Sequence, residues 1–369
     1  MIHTLLVAGT RPNFIKIGPL YHAFERHEEL APTLVHTGQH YDAAMSDIFF
    51  EQLELPEPDI FLSSGSGTHA TQTARVMMEL EPVIIEQRPD VVVVVGDVNS
   101  TFAAALTAKK LHVRVAHVEA GLRSFDRRMP EEINRLATDA ISDFLFTTEA
   151  AAATHLKNEG KSDDEIFFCG NVMIDSLRRF QEKARAVRQS DVYNLDAKSY
   201  VLLTAHRPEM VDHPEKLEQF IRGVARISDD HPVVFPIHPR TLSRIQESGL
   251  WDLLDGNQNV HLVEPLGYLE FLSLIMDAGL VLTDSGGVQE ETTVLGVPCA
   301  TIRDNTERPC TVDVGTNELI PLETEAIQDA AERALSGNWK KGSLPELWDG
   351  HAADRIAMKL ADLLADHSP

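Results

Sequence analysis

Apolar and polar positions alternate along the chain in two rhythms. Short, nearly continuous apolar runs are each followed by a longer stretch in which apolar residues recur every three or four positions. The runs predict strands over 4–8, 33–37, 91–95, 113–118, 144–147 and 166–169 in the first half. In the second half they predict strands over 200–204, 233–237, 260–263, 280–283 and 299–302. A run without polar alternation, such as 91–95, suits a strand buried on both faces. Strand–helix alternation then implies parallel sheets built from βαβ units. Eleven strands are too many for one comfortable open sheet, and 178–198 carries charge but no strand pattern. A boundary is therefore placed near that stretch. The expected class is α/β, with two doubly wound, Rossmann-like domains (1–175 and 176–350) facing each other across a cleft. In such sheets ligands bind beyond the carboxyl ends of the strands.

Composition narrows the picture. A length of 369 residues suits two domains. Lys and Arg total 33 against 57 Asp and Glu, a net charge of -24. Nothing in that balance attracts nucleic acid or an anionic membrane, so neither is an expected partner. The apolar runs are far too short to span a bilayer, and no cationic leader opens the chain. Cys169, Cys299 and Cys310 are too few and too far apart for a disulfide framework or a metal pattern. A reducing cytoplasm is the expected compartment, with no bound metal.

Candidate chemistry sits where strands end. Gly9-Thr10-Arg11-Pro12 follows the first strand, with Lys16 one turn on. Arg11 and Lys16 suit a phosphate at a helix N-terminus, and equally suit ordinary surface charges. Asp97 ends the third strand and Glu119 the fourth. Asp97 also fits a helix cap. Glu131 and Glu132 fit the first turn of a helix, and Glu131 can pair with Arg135 at i,i+4. Three carboxylates, Asp97, Glu119 and Glu131, at neighbouring strand ends exceed what capping needs. In the second half, His206 ends the strand at 200–204 and His238 the strand at 233–237. Each is a candidate acid, base or anion contact, or an ordinary loop histidine among 16. Ser285-Gly286-Gly287 between a strand and a helix is the strongest local signal. Two glycines let backbone N–H groups approach a diphosphate. Glu291, one turn later, suits ribose hydroxyls, and Arg308 after the last strand suits the same anion. No G-x-S-x-G elbow and no metal-ligand spacing occurs.

The segments GTRPNFIK, TGQHYD, GDVNST, HVEAGLRS, MPEEINR, AHRPE, LTDSGGVQEE and NTERP run in that order through nearly the whole chain. Together they resemble the non-hydrolysing UDP-N-acetylglucosamine 2-epimerases. The resemblance implies a B-type glycosyltransferase-like fold, a homodimer and no metal or redox cofactor. It also implies a C-terminal helix in 351–369 that packs back on the first domain. The implied reaction is reversible C2 epimerisation of UDP-GlcNAc and UDP-ManNAc. UDP leaves to give 2-acetamidoglucal and then re-adds. Asp97, Glu119 and Glu131 are then the acid/base candidates, and His206 assists UDP departure. Arg11, Lys16, Ser285, Gly286, Gly287 and Arg308 resemble diphosphate contacts, Glu291 a ribose contact, and Arg135 an orienting residue. His238 joins the substrate-binding candidates.

The chain departs from the pattern at three places. Asp42 in Gln39-His40-Tyr41-Asp42 brings negative charge towards a segment that touches a regulatory UDP-GlcNAc in allosteric members. Hyperbolic kinetics with UDP-ManNAc alone are therefore expected. Residues 208–212 and Cys310 also differ from the commoner motifs. Alternative readings are a 2-epimerase of another UDP-2-acetamido sugar, a hydrolysing UDP-GlcNAc 2-epimerase, and a B-type glycosyltransferase. The three carboxylates argue against the last.

Overall fold

Five consecutive valines, Val91–Val95, lie at the centre of the first sheet, each no more than 1% exposed. They can be apolar throughout because helices cover both sides. The computed structural model describes residues 1–38 and 52–365, and it divides into two units. One comprises Met1–Arg179 with Glu346–Pro369, the other Phe180–Pro345. The first therefore keeps the chain slightly beyond residue 175 and regains it slightly before residue 351.

The first unit carries β1 (Ile2–Ala8), β2 (Leu30–His36), β3 (Ile60–Phe61), β4 (Val91–Val95), β5 (Arg114–Val118), β6 (Phe144–Thr147) and β7 (Ile166–Phe168). All neighbours run parallel, in the order β3-β2-β1-β4-β5-β6-β7. The second unit carries β8 (Val201–Thr204), β9 (Val233–Pro236), β10 (Val260–Val263), β11 (Leu280–Thr283), β12 (Cys299–Ile302) and β13 (Asn317–Ile320). Its order is β10-β9-β8-β11-β12-β13, again all parallel. Each sheet reverses direction once, between β1 and β4 and between β8 and β11. Those two switch points are where a doubly wound sheet leaves a crevice for ligand.

The eleven expected strands are all present, several shifted by a residue or more at an end. β2 begins at Leu30 rather than residue 33 and takes in Pro32, which faces Thr4 of β1. β3 reaches only Val35 and His36, so no strand asks Pro32 for an N–H on its other side. Two strands are additional. β3 has only two residues, too few for any pattern. β13 begins with Asn317, whose amide donates to Gln289 Oε1 (3.0 Å) and Thr311 Oγ1 (3.1 Å). A buried polar residue that is fully bonded breaks the apolar run by which a strand is read.

In the second sheet Val201 and Leu203 enter one core cluster, while Tyr200 and Leu202 enter another. Both faces are thus filled. In the first unit the helix Asn99–Lys110 presents Ala103, Ala104, Ala105 and Ala108, all fully buried, so its backbone lies close to the sheet. The helix Ala352–Ala365 belongs to this unit. The Asp175 carboxylate accepts the N–H of Ala352 (3.1 Å) and of Ala353 (2.7 Å). Arg26 pairs with Asp354 at 2.6 Å. Among the described residues no helix is long and apolar enough to cross a membrane.

Candidate active site

In the first unit the β1/β4 switch point is built by close approach. A Cβ on Gly9 would lie 2.0 Å from Ser100 Oγ and 2.8 Å from Thr37 Oγ1. Only glycine lets the chain turn there into the helix Arg11–Arg26, which places Arg11 at the carboxyl end of β1. Asn13 accepts from the Thr10 N–H (3.2 Å) and hydroxyl (2.7 Å) and donates to Val95 O (2.9 Å). The helix start is thereby tied to the end of β4.

Lys16 and Glu119 meet at 2.5 Å, and both side chains are almost wholly buried. Glu119 stands in a left-handed conformation, φ +69, just after β5. Its Oε2 takes the lysine, while its Oε1 is buried with no hydrogen-bond partner among the described residues. Native proteins rarely leave such an atom unpaired unless a ligand or water uses it. Gly96 adjoins this pair: a Cβ there would sit 3.4 Å from Glu119 Oε2 and 3.7 Å from Lys16 Nζ. The expectation that Lys16 contacts phosphate is thus joined by a second role, holding the Glu119 carboxylate.

Asp97 is ion-paired with Arg135. Arg135, 2% exposed, also donates to Glu132 from Nε (3.0 Å) and from a terminal nitrogen (2.7 Å). The anticipated i,i+4 pair between Glu131 and Arg135 is replaced by this i,i+3 pair. Glu132 further accepts from Ser124 N–H (3.0 Å) and Phe125 N–H (3.0 Å). Burial works against its charge, but these donors and Arg135 hold its carboxyl below the usual range. Glu132 is therefore committed to the loop after Glu119. Glu131 is half-buried in the first turn of the helix Pro130–Ile141. Asn134 donates to Asp97 O (2.9 Å) and Asn99 Oδ1 (3.2 Å). Neither asparagine stands out in the sequence, because each looks like a cap or a surface residue.

In the second unit the β8/β11 switch point carries His206 and Asp284. His206 Nδ1 lies 2.9 Å from Asp284 Oδ1. The other oxygen of Asp284 accepts the N–H of His206 (2.7 Å) and of Arg207 (2.8 Å). Asp284 is buried, whereas the His206 side chain is 46% exposed, and desolvation opposes charge on both. Even so, Asp284 raises the imidazole above its ordinary value, and His206 with the two N–H groups lowers the carboxyl. His238 lies beside His206, ring centres 6.4 Å apart. Desolvation first, then the neighbouring His206 and Arg240, push His238 below its ordinary value. One imidazole is biased towards the charged form and its neighbour towards the neutral form.

Ser285 stands at the N-cap position of the helix Gly286–Leu295, with Gly286 and Gly287 in its first turn. A Cβ on Gly286 would fall 2.7 Å from an Arg308 nitrogen and 2.9 Å from Glu307 Oε1. Arg308 therefore lies against the glycine turn, as anticipated. It is already engaged, however, by Glu290 (2.7 Å) and Glu307 (2.7 Å). Glu307 also holds Arg303 at 2.9 Å and lies 3.7 Å from Arg207. Three guanidinium groups thus surround two carboxylates beside a helix N-terminus, and a net positive field remains for an anion. Glu291 is buried one turn later, next to Tyr268 and Glu290. Desolvation, with Glu290 adding to it, pushes its carboxyl up to about 8. At neutral pH it favours the protonated form, which can donate as well as accept.

Asp42 lies outside the described residues. Asp212, one of the departing positions, is taken by Arg240 and Arg244, each at 3.1 Å. Among the described residues no group of three or more His, Cys, Asp or Glu is placed to hold a metal ion.

Residues 22–361 match the family model described as UDP-N-acetylglucosamine 2-epimerase. The UDP-N-acetylglucosamine 2-epimerase of Methanocaldococcus jannaschii is 47% identical over 361 residues, covering 95% of this chain and 96% of that protein. The UDP-2,3-diacetamido-2,3-dideoxy-D-glucuronate 2-epimerase of Pseudomonas aeruginosa is 43% identical, covering 97% and 99%. A crystal structure of the M. jannaschii enzyme with UDP-GlcNAc and UDP superposes with a TM-score of 0.89 at 44% identity, covering 98% of this chain and 100% of that one. With the model matching most of its length, the chain belongs to the UDP-N-acetylglucosamine 2-epimerase family.

Proposed function

We propose that this protein interconverts UDP-GlcNAc and UDP-ManNAc by eliminating UDP and adding it back, without net hydrolysis. The observation that carries the reading is Glu119, a buried carboxylate with one oxygen on Lys16 and the other unpaired among the described residues. C2–H of the sugar is a poor acid, because its neighbours are not carbonyls. Departure of UDP makes C1 cationic and acidifies that proton. The C1–O electron pair leaves with the β-phosphate oxygen. A carboxylate takes the C2 proton, and the C–H pair becomes the C1=C2 bond of 2-acetamidoglucal. Re-addition of the phosphate oxygen to C1 and protonation of C2 on the opposite face complete the inversion.

Two proton-handling groups are needed, one for each face. Glu119, Asp97 and Glu131 are the candidates on the first unit. His206, biased towards its charged form by Asp284, favours departure of the diphosphate on the second. The turn at Ser285, Gly286 and Gly287, with Arg308 and the start of the helix at Arg11, supplies diphosphate contacts. Glu291 supplies a ribose contact, and His238 and Arg135 bind or orient. By family resemblance the working form is a homodimer.

Proton NMR of UDP-GlcNAc with the purified protein in D₂O tests the reading. UDP-ManNAc carrying deuterium at C2 is the expected product. Accumulating free N-acetylmannosamine would instead assign the hydrolysing reaction. Inertness of UDP-GlcNAc alongside turnover of a diacetamido uronate would move the substrate to that of the P. aeruginosa relative.

A further inference from the structure

Behind the two strand tips of the first unit runs a buried chain of charged groups. His117 of β5 is fully buried, with Nε2 2.8 Å from Gly96 O and Nδ1 2.7 Å from Asp139 Oδ1. Asp139, on the helix Pro130–Ile141, accepts the Gly121 N–H at 3.0 Å on its other oxygen and meets Arg123 there at 2.7 Å. Arg123 forks onto Glu159 at 2.9 and 2.6 Å. A carbonyl only accepts, so His117 Nε2 donates to Gly96 O, and Nδ1 faces the Asp139 carboxylate. Burial opposes charge on Asp139, yet His117 and Arg123 hold its carboxyl below the usual range.

The two ends of this pair are fastened to particular places. Gly96 immediately precedes Asp97, and Gly121 follows Glu119 by two residues. Gly96, Glu119 and Gly121 all stand at positive φ, +71, +69 and +79. A Cβ on Gly121 would lie 2.5 Å from Ala152 O, so the turn is confined from outside as well. A buried ion pair is a weak source of stability compared with apolar packing of the same volume. One that grips the backbone at two tight turns beside Asp97 and the strained Glu119 has a use beyond stability.

We propose that His117 and Asp139 form a positioning pair that sets the placement of Asp97 relative to Glu119. The proposal rests on the reading that those carboxylates handle the substrate's protons. It separates two quantities. Loss of the pair moves the carboxylates, so kcat falls, while the diphosphate contacts on the second unit are untouched.

The experiment compares Asp139→Asn and His117→Asn with the parent enzyme and with Trp348→Phe. The last removes the indole N–H that donates to Thr148 O at 2.9 Å elsewhere in the same unit. Expected for both pair variants is a kcat roughly 10- to 100-fold lower, as for a reacting group displaced by about an ångström. KM for UDP-GlcNAc and calorimetric UDP affinity should stay within about twofold, and Trp348→Phe should keep its kcat. Normal kcat in folded Asp139→Asn overturns the proposal. So does an equal kcat loss in Trp348→Phe at a matched fall in Tm, and so does failure of both pair variants to fold. Normal turnover by Glu119→Gln would instead overturn the carboxylate reading, and the positioning role with it.

Discussion

Glu119 holds a backbone conformation that costs a non-glycine residue about 1–2 kcal/mol, and its carboxylate is taken out of water beside a lysine. Strain and desolvation of this kind persist where the surroundings over-determine them, and they gather at reacting groups. Glu119→Gln keeps the shape but removes the ionisable carboxylate. Turnover should fall by about two orders of magnitude or more. A near-normal rate in the C2 deuterium-exchange assay would take Glu119 out of the proton transfer. Arg308 is tested differently, because it is both an expected phosphate contact and the partner of two buried carboxylates. Arg308→Ala should weaken UDP binding about tenfold or more and also lower Tm, since Glu290 and Glu307 lose a cation in a buried place. Unchanged UDP affinity by calorimetry would end its phosphate role.

The helix Ala352–Ala365 shows how an element is placed by a residue far away in sequence. Its first N–H groups have no partner within the helix, and Asp175 accepts two of them. The pattern at 352–364 predicts a helix, but nothing local shows what caps it. Asp175→Ala should cost about 1–2 kcal/mol, as for loss of an N-terminal cap. Faster hydrogen exchange should follow across the first turn of that helix. Exchange unchanged at Ala352 and Ala353 would show that Asp175 does not secure it. The helix Pro130–Ile141 makes the same point. Pro130 and the two glutamates mark its start plainly. Its final geometry alone assigns Glu132, rather than Glu131, to Arg135 and the loop.

Across the whole molecule, buried titratable groups give stability a pH dependence. Glu291 is pushed from 4.5 up to about 8 by burial. Between those values the folded chain keeps a proton that the unfolded chain has released. Its contribution to stability therefore declines as pH rises through that window. Gln cannot ionise, so Glu291→Gln should gain on the parent as pH is raised from about 5 to about 8. The gain is about 1.4 kcal/mol for each pKa unit traversed. Melting curves at the two pH values measure it, and a gap that stays constant would refute the shifted carboxyl.

The sequence by itself determined the fold class and placed the candidate residues at strand ends. Strand burial is written in continuous apolar runs, and a turn in a glycine such as Gly9, where a Cβ would meet Ser100. Residue types at strand ends singled out Asp97 and Glu119 on the first sheet and His206 on the second, since a parallel sheet presents its own strand ends on one edge. Only the tertiary structure decided which neighbour each charged group takes. Lys16 and Glu119 are 103 residues apart, and His206 and Asp284 are 78. Hydrogen-bonded polar residues such as Asn134, His117 and Asn317 stayed illegible because their partners lie on other elements. Pairing is a property of distance in space, and a one-dimensional pattern carries distance only where periodicity or a short turn imposes it.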